Sequence, residues 1–420
     1  LLDTLYGGLT PVRKGGGHQS KSLRLQHPDG RQFVLRALRK SAELYLQAIA
    51  LKDQYIVGDF EGTATEGIIQ DFYTGSHPYA PFTVAPMAKK LGINHTNPKL
   101  IYVPKHEALL GFADDFGDEL YMIEEHVSEG HSDASFGDAK AILSSDDLLL
   151  KLRKDEDFQL DRKAYIRARL FDMVLGDWDR HPDQWRWAEF KNPEGGTIYR
   201  PIPRDRDQAF SRMGDGWLVG WATRVVPSMR LFEGFEEEIR NVRGFNSSPK
   251  TFALDISLLS GTAWDDWEKE ARFIQENLDA ATMGEGWENL PAEVRDEREK
   301  DWTAYMLNRT SQLQQTAKTY YKVLHRFGVV RGTDKDDYFR ISAQGDRLLV
   351  EGFRIKGKEK APFYSNLFDP KITKEVWIYS LDDKDQFEVE DNSTGIRIRL
   401  VGGHGKDQYV VGKKGRKVHI

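Results

Sequence analysis

Residues 165–210 constrain the fold of this chain more than any other part of the sequence. Apolar side chains recur there at helical spacing, at Ile166, Leu170, Met173 and Val174. Gly176 interrupts this pattern, and the polar run DWDRHPDQ follows at 177–184. A strand-like aromatic run, a turn at 193–196 and a second strand over 197–202 come next, before the sequence RDRD at 204–207. The pattern predicts a buried helix that delivers one acidic loop and a hairpin that delivers another.

The two acidic loops contain the residue types that phosphoryl transfer requires. One carboxylate orients the attacking hydroxyl, and another holds Mg²⁺ together with an amide oxygen. Asp179 is the candidate for the first role, and Arg180 beside it is a candidate catalytic residue that braces a neighbouring carboxylate. Gln184 offers the amide oxygen five residues after Asp179. Asp205 is the candidate for the main metal ligand and Asp207 for a second one.

Three other polar residues of these loops have more ordinary interpretations. His181 is either a metal ligand or a packed turn residue, and the second role is the more common one for a single histidine beside Asp and Pro. Arg204 and Arg206 alternate with the acidic residues of the second loop, so we expect them to neutralise surplus carboxylate charge.

A glycine-rich segment near the start of the chain predicts a hairpin. Residues 7–25 run from glycines into an alternating strand, and HPDG at 27–30 separates this strand from a second one over 32–38. The run 15–22 nearly matches the P-loop motif, but Ser20 replaces its second glycine and no helical pattern follows, so we reject a P-loop NTPase. A hairpin over ATP phosphates fits better. The candidate nucleotide-binding residues are Gly15, Gly16, Gly17, Gln19 and Lys21 on the hairpin, Arg36 on its second strand and Glu124 on a later, hinge-like strand over 119–127.

These motifs resemble those of atypical kinases. DRHPDQ at 179–184, followed by Asp205, is similar to the D-R-H-x-x-[NQE] loop and metal-binding turn of HipA-type kinases, the secretory-pathway casein-kinase family, spore-coat kinases and phosphatidylinositol 4-kinases. GHQSK at 17–21 is similar to the G-x-Q-x-K of HipA-type kinases. The resemblance covers about residues 7–210. It implies an α+β, two-lobed kinase-like fold with a β-rich N-lobe and a helical C-lobe, and it implies ATP and Mg²⁺ as cofactors.

Two positions depart from the kinase pattern. Arg36 stands where a lysine is usual, although arginine also carries a permanent charge that can grip phosphate. The helix predicted over 80–91 has no acidic residue that could pair with this cation. We therefore expect the partner carboxylate elsewhere, with Asp71 as one candidate.

Three segments, at 7–25, 167–187 and 201–210, look like the central region of large bacterial envelope proteins. In that family a calcineurin-like metallophosphatase domain precedes this region, and an outer-membrane β-barrel of the assembly-factor type can follow it. The resemblance implies that the sequence is a portion of a larger protein of the cell envelope, with tethering to an outer-membrane barrel.

Length and composition exclude several classes of protein and of functional site. A chain of 420 residues is long enough for two or three domains, which we place at 1–127, 128–327 and 328–420. A formal net charge of -6 argues against general nucleic-acid binding. The chain has no cysteine, which excludes disulfides, thiolate zinc sites and a cysteine nucleophile. No apolar run approaches the roughly 20 residues of a membrane span.

The C-terminal segment is expected to form a β-rich module. Three related sequences occur in it, namely DKDDYF at 334–339, DKDQF at 383–387 and GGHGKDQYV at 402–410. The last of them matches the nonapeptide of calcium-binding β-rolls. Asp385 and Asp407 are 22 residues apart rather than nine, and a calcium roll needs adjacent turns to share each ion. We therefore favour a sandwich-like or solenoid-like module with structural turns over a Ca²⁺ site.

Three functions remain open from the sequence. The first is an ATP- and Mg²⁺-dependent phosphotransferase that acts on a hydroxyl of an unidentified protein, lipid or glycan. The second is a degenerate kinase-like scaffold for protein assembly or partner binding at the outer membrane. The third is a metal-dependent phosphohydrolase that uses Asp179, His181, Asp205 and Asp207, against which the scarcity of nearby histidines speaks.

Overall fold

A computed structural model describes residues 1–15, 20–38, 77–128, 134–212, 225, 230, 233–246, 248–295, 298–357 and 361–420. The candidate residues Gly16, Gly17, Gln19 and Asp71 lie outside these ranges. The sequence predicts an α+β protein with a β-rich N-lobe, a helical lobe and a C-terminal β module, and the described residues confirm that architecture.

The N-lobe is an antiparallel five-stranded sheet with the order β1-β2-β3-β5-β4. Its strands are β1 (Thr10–Gly15), β2 (Ser22–Gln26), β3 (Gln32–Ala37), β4 (Lys99–Val103) and β5 (Glu119–Glu125). Alternation along β2 and β3 sends Leu23, Leu25 and Leu35 into a core on one face of the sheet. The opposite face carries Arg36. The predicted hairpin is confirmed, with Gly30 in its turn at a φ of 94°.

The second lobe is built mainly from helices around one apolar core. The helices of the described chain are α1 (Ala80–Lys90), α2 (Ala113–Phe116), α3 (Ser145–Lys154), α4 (Arg162–Leu175), α5 (Pro249–Leu259), α6 (Trp264–Asn277), α7 (Ala280–Trp287), α8 (Arg298–Ser311) and α9 (Leu313–Leu324). Although α1 precedes β4 in the chain, its buried residues Val84 and Met87 belong to this helical core. None of the described helices is long and apolar enough to cross a bilayer.

A small sheet with the order β6-β8-β9-β7 covers α4. Its strands are β6 (Ala141–Leu143), β7 (Phe158–Leu160), β8 (Trp185–Lys191) and β9 (Thr197–Pro203). The β8–β9 hairpin is antiparallel, as the sequence predicts, and Trp185 and Trp187 of β8 are fully buried against Tyr165 of α4. This packing fixes the hairpin on the helix that precedes it.

The C-terminal module packs two sheets around a shared core. One sheet has the parallel order β10-β14-β16-β18 and the other the order β13-β12-β11-β15-β17. The strands are β10 (Phe327–Arg331), β11 (Asp337–Gln344), β12 (Arg347–Arg354), β13 (Tyr364–Phe368), β14 (Glu375–Tyr379), β15 (Gln386–Asp391), β16 (Arg397–Val401), β17 (Gln408–Lys414) and β18 (Val418–His419). Val376 pairs with Ile398 and Phe387 with Tyr409, so one 22-residue coil supplies a strand to each sheet. The solenoid-like alternative therefore describes the module.

The related aspartates of this module stack from coil to coil. Asp385 Oδ1 accepts a hydrogen bond from the backbone N–H of Asp337 at 2.8 Å, and Asp407 Oδ1 accepts one from that of Asp385 at 3.2 Å. Each carboxylate thus satisfies a backbone donor of its neighbouring coil, a structural role that accounts for the 22-residue spacing.

Candidate functional site

The first acidic loop begins where helix α4 ends. Asp161 caps the helix by accepting a hydrogen bond from the Ala164 N–H at 3.0 Å. The helix ends at Gly176, which has a left-handed φ of 72°, and a Cβ atom there would lie 2.9 Å from the Phe235 ring. A glycine is needed at this position for both reasons. The predicted helix, its end and the loop that follows are therefore confirmed.

The two acidic loops meet in the structure. The Arg204 N–H donates a hydrogen bond to the Gln184 carbonyl at 2.9 Å, which extends the β8–β9 hairpin to the second loop. Arg180 Nη1 donates a hydrogen bond to the Arg204 carbonyl at 2.5 Å. Asp205 follows directly, with a φ of 54° that costs a non-glycine residue about 1–2 kcal/mol. The backbone beside Asp179 is thus tied to the backbone beside Asp205.

Arg180 is a positioning residue rather than a catalytic one. Its side chain is fully buried and forms ion pairs with Asp177 and with Asp172, the latter at 3.3 Å. Burial, together with the neighbouring Arg206, lowers the pKa of Arg180 to about 9. Since no part of the guanidinium is exposed, the prediction that Arg180 acts in catalysis is wrong, whereas its bracing of a neighbouring carboxylate is correct.

A buried network of charges lies beneath the two loops. Arg169, Arg180 and Arg206 face Asp172, Asp177 and Asp255, and the hydroxyls of Tyr165 and Tyr320 donate to Asp255. Burial alone would raise the pKa of Asp172, but the three guanidiniums hold it below its usual value. Three positive and three negative groups balance, which is the condition under which buried charges are tolerated.

Sequence reasoning missed most of this network. Arg169 and Asp172 are charged residues in the middle of a buried helical run. Opposite charges at such positions indicate a buried ion pair, and this is the feature of the sequence that could have revealed the network. Of the two arginines expected to neutralise carboxylates, Arg206 does so, through Asp172 and Asp177 at its Nη1 atom.

Arg36 connects the N-lobe sheet to the second acidic loop through an ion pair. Its Nη1 lies 3.1 Å from Asp205 Oδ2, and its Nε lies 3.3 Å from Glu124 Oε1. Asp205, and less strongly Glu124 and Asp207, raise the pKa of Arg36. Thr96 Oγ1 donates a hydrogen bond to the other Glu124 oxygen at 2.8 Å. Arg36 therefore joins a carboxylate of its own sheet to the candidate metal ligand.

Glu124 is the carboxylate partner that Arg36 was expected to find elsewhere. Its position follows from strand register, because Val34 pairs with Glu124 and Arg36 lies on the same face two residues later. Burial is the main cause that raises the pKa of Glu124, and the nearby Asp205 adds to it. Sequence reasoning placed Glu124 at the nucleotide as part of a hinge-like strand, whereas its carboxylate lies against Arg36.

Lys21 does not join this cluster. Its Nζ atom forms an ion pair with Glu119, donates to the Asp115 carbonyl at 2.6 Å and lies over the rings of Phe116 and Tyr121. Its backbone carbonyl accepts from the Ala37 N–H, so its side chain lies on the apolar face of the sheet, opposite Arg36. The predicted contact of Lys21 with phosphates does not agree with this placement. Gly15 does lie at the end of β1, where a Cβ atom would be 2.1 Å from the Ser22 hydroxyl.

Other arginines surround Arg36. Burial is the first cause that lowers the pKa of Arg24 and of Arg204, each to about 10, and repulsion among Arg24, Arg36, Arg186 and Arg204 adds to it. The Arg204 side chain forms no hydrogen bond or ion pair among the described residues, but Asp205 and Glu124 attract it and act to raise its pKa, in keeping with a role in neutralising carboxylate charge. Several guanidinium groups thus lie close enough to repel one another around Arg36, where Asp205 and Glu124 offset part of their charge.

Asp179 and His181 lie beside each other on the first acidic loop, close enough to Asp205 for its charge to act on His181. The Asp179 side chain is 30% exposed, and its Oδ1 lies 3.9 Å from His181 Nε2. Burial lowers the pKa of His181. In the described part of the chain, no three His, Asp or Glu side chains form a group that could hold a metal ion. Asp205 and Gln184 nevertheless provide the oxygen donors that Mg²⁺ prefers, and a cation there would compete with Arg36 for Asp205.

The solved structures similar to this chain include those of two kinases, one of them in two forms. No protein-family model and no curated protein matches the sequence. The proinflammatory kinase CtkA of Helicobacter pylori is 11% identical, with a TM-score of 0.36 over 75% of this chain and 96% of that one. The Rio2 kinase of Chaetomium thermophilum is 15% identical, with a TM-score of 0.27 over 64% and 74%. Its ADP/Mg²⁺-phosphoaspartate complex is 14% identical, with a TM-score of 0.26 over 64% and 72%. Scores at this level carry no argument about this chain.

Proposed function

We propose that this protein is an ATP- and Mg²⁺-dependent phosphotransferase of the atypical kinase type that acts on a hydroxyl acceptor. One observation carries the proposal. Arg36, from the face of the N-lobe sheet, contacts Asp205 at the end of a hairpin, and Arg180 ties that hairpin to the loop that carries Asp179. A cation, a candidate metal ligand and a candidate hydroxyl-orienting carboxylate therefore lie around one cleft.

The electrostatics of the cleft also favour a polyanionic ligand. The Arg204 side chain forms no hydrogen bond or close ion pair among the described residues, and Arg24 and Arg186 add further positive charge around Arg36. Repulsion between desolvated cations is relieved when an anion binds among them, and guanidinium groups match phosphate oxygens in pairs. A triphosphate carries enough negative charge to satisfy several of these groups at once.

Each side chain would then have a distinct task. Asp205 and Gln184 would hold Mg²⁺, which supplies charge neutralisation for the transferring phosphoryl group. Asp179 would accept or orient the proton of the acceptor hydroxyl. Arg36, held by Glu124, would bind phosphate oxygens, and Arg180 would keep the two loops in register from below.

Two measurements on three variants test the proposal. We expect Mg²⁺ and ATP together to raise the melting temperature of the wild-type protein, and phosphate to be transferred from γ-labelled ATP to an acceptor or to the protein itself. Asp179→Ala should abolish transfer and keep the thermal shift. Asp205→Asn should remove the Mg²⁺-dependent part of the shift. Asp183→Asn is the matched control, because the Asp183 side chain lies in the same loop and is 90% exposed.

The results for the Asp179 variant distinguish a catalytic role of this residue from a structural one. Loss of both transfer and the thermal shift in Asp179→Ala would assign Asp179 to the structure rather than to the chemistry. Retention of transfer in that variant would remove it from the mechanism altogether. Equal effects of Asp183→Asn and Asp179→Ala would show that the assay responds to loop charge alone.

A degenerate kinase-like scaffold is the second candidate function. Two observations favour it, namely the arginine at position 36 and its contact with Asp205 at 3.1 Å, which occupies a candidate metal ligand. A scaffold should bind partner proteins without any Mg²⁺-dependent change in melting temperature on addition of ATP. The third candidate, a phosphohydrolase, has less support, because no three metal-ligating side chains converge within the described ranges.

We also propose that this portion of the chain works in the bacterial cell envelope. The support is the resemblance of residues 7–25, 167–187 and 201–210 to the central region of large envelope proteins, together with a sequence without cysteine. Fractionation of cells that express the full-length protein tests this. Recovery with the envelope fraction supports the proposal, and recovery with the cytoplasm contradicts it.

A further inference from the structure

A cavity of about 250 Å³ lies between the helical lobe and the C-terminal module, away from the acidic loops. The helical lobe contributes β7, the first residue of α4 and part of α5, while the module contributes the end of β10 and the start of β13. The apolar part of its wall is formed by Leu152, Phe158, Leu258 and Phe363. A liquid water molecule occupies about 30 Å³, so the cavity can hold a small organic molecule.

Two arginines line this cavity without a counter-ion. Arg162 is exposed at the start of α4, and Arg331 is half-buried at the end of β10. Neither guanidinium has a hydrogen-bond or ion-pair partner among the described residues. Burial, followed by repulsion from Arg162 and Arg153, lowers the pKa of Arg331 to about 10.

Two neighbouring arginines at the same interface, Arg153 and Arg354, are paired with carboxylates. Arg153 contacts Asp334 and Asp382 at 2.7 and 3.0 Å, and Arg354 pairs with Glu156. Glu156 also lines the cavity, but its carboxylate is engaged by Arg354. The contrast shows that the interface supplies acidic partners where its arginines hold the two parts together, and that it supplies none for Arg162 and Arg331.

A buried hydroxyl gives a second, independent observation. Tyr364 lines the cavity, and its hydroxyl group is buried at the cavity wall. The hydroxyl interacts with the Asn366 side chain but forms no hydrogen bond of normal geometry among the described residues. Burial raises the pKa of Tyr364 to about 12, and Arg162 acts in the opposite direction, which places the two groups near each other. An unsatisfied buried hydroxyl costs about 1–3 kcal/mol, and an acceptor oxygen in the cavity would satisfy it.

We infer that this cavity binds a small organic anion through a phosphate or carboxylate group held by Arg162, Arg331 and the Tyr364 hydroxyl. Its oxygens would neutralise the two repelling guanidiniums and accept the hydroxyl proton, while the apolar wall contacts the rest of the molecule. Because the ligand would touch both β10 of the module and α4, which delivers the first acidic loop, its binding would stabilise their contact.

Calorimetric titration with inorganic phosphate, pyrophosphate and citrate tests the inference. The wild-type protein should bind at least one of them saturably. Tighter binding of phosphate or pyrophosphate would identify a phosphate site, and tighter binding of citrate would identify a carboxylate site. Arg331→Met should weaken binding at least tenfold, and Arg162→Met should act in the same direction. Tyr364→Phe should have a smaller effect. Without anion, Arg331→Met should melt at a higher temperature than the wild type, since an unpaired, desolvated charge is removed.

Two control variants keep this test separate from the phosphotransferase proposal. Arg347→Met removes an exposed arginine of β12 and should leave anion binding unchanged. Arg36→Gln alters the cleft between the lobes and should also leave it unchanged. Saturable binding that persists in Arg331→Met and Arg162→Met but is lost in Arg36→Gln would assign the anion to the cleft. Absence of saturable binding to the wild type would overturn the inference.

Discussion

Replacing Arg180 by methionine probes the buried network that joins the two acidic loops. Arg180 forms ion pairs with Asp177 and Asp172, donates to the Arg204 carbonyl at 2.5 Å and lies over the Trp185 ring with its guanidinium 5.8 Å from the ring centroid. Methionine fills a similar volume without charge or donors. The variant therefore removes the electrostatic contacts and retains most of the packing.

The size of the effect follows from burial. Removing one member of a buried ion pair costs about 3–5 kcal/mol, because the other charge is left without compensation. Arg206 still contacts both carboxylates after the substitution, at 3.1 Å from Asp177. We therefore expect a loss near the lower limit, about 3 kcal/mol of unfolding free energy. Arg200→Met is the control, since Arg200 is 49% exposed in its 3.1 Å pair with Asp161 and should contribute less than about 1 kcal/mol.

Urea unfolding followed by tryptophan fluorescence measures both variants, because Trp185 and Trp187 are buried beside Arg180. The Asp177→Asn variant and the double variant with Arg180→Met complete a mutant cycle. A loss of less than about 1 kcal/mol in Arg180→Met, or additive effects in the cycle, would refute the claim that this network holds the loops together.

The remaining predictions concern the C-terminal module and a helix. Burial raises the pKa of Asp385 to about 6 in the folded state, above the ordinary value of an aspartate, so the folded state binds more protons between these values. Stability of the module should fall as pH rises from about 4 to about 6, and Asp385→Asn should weaken that dependence in thermal melts. The part that remains should come from the adjacent Asp337, whose pKa burial raises to about 7. Gly403→Ala places a Cβ atom 1.1 Å from the Leu381 carbonyl oxygen and should cost about 3 kcal/mol or more in urea unfolding. Gly284→Ala in α7 meets no atom within 4 Å and should stabilise the protein by about 0.5–1 kcal/mol in the same assay.

Local patterns in the sequence were sufficient for the elements that position the site. The helical spacing before Gly176 and the turn residues around 193–196 predict α4 and the β8–β9 hairpin, because caps, turns and amphipathic spacing act within a few residues. The 22-residue separation of Asp385 and Asp407 was also visible. The choice between a sandwich and a solenoid depended on strand pairing between distant segments, which no local signal reports.

The candidate site was only partly predictable for the same reason. The meeting of Asp205 with the loop of Asp179 followed from a hairpin of known length. The partner of Arg36 was missed because Glu124 reaches it through the register of two strands 88 residues apart. The position of Lys21 was wrong because one step along a strand moves a side chain to the other face of the sheet.

A crystal structure with a non-hydrolysable ATP analogue and Mg²⁺ tests the central claim most directly. We expect a metal ion bound to the Asp205 carboxylate and the Gln184 amide oxygen, with phosphate oxygens on Arg36 and Arg204. Arg36 should then be released from its contact with Asp205. An analogue bound elsewhere on the protein, or an Arg36–Asp205 ion pair that persists with no metal beside it at saturating analogue, would contradict the account.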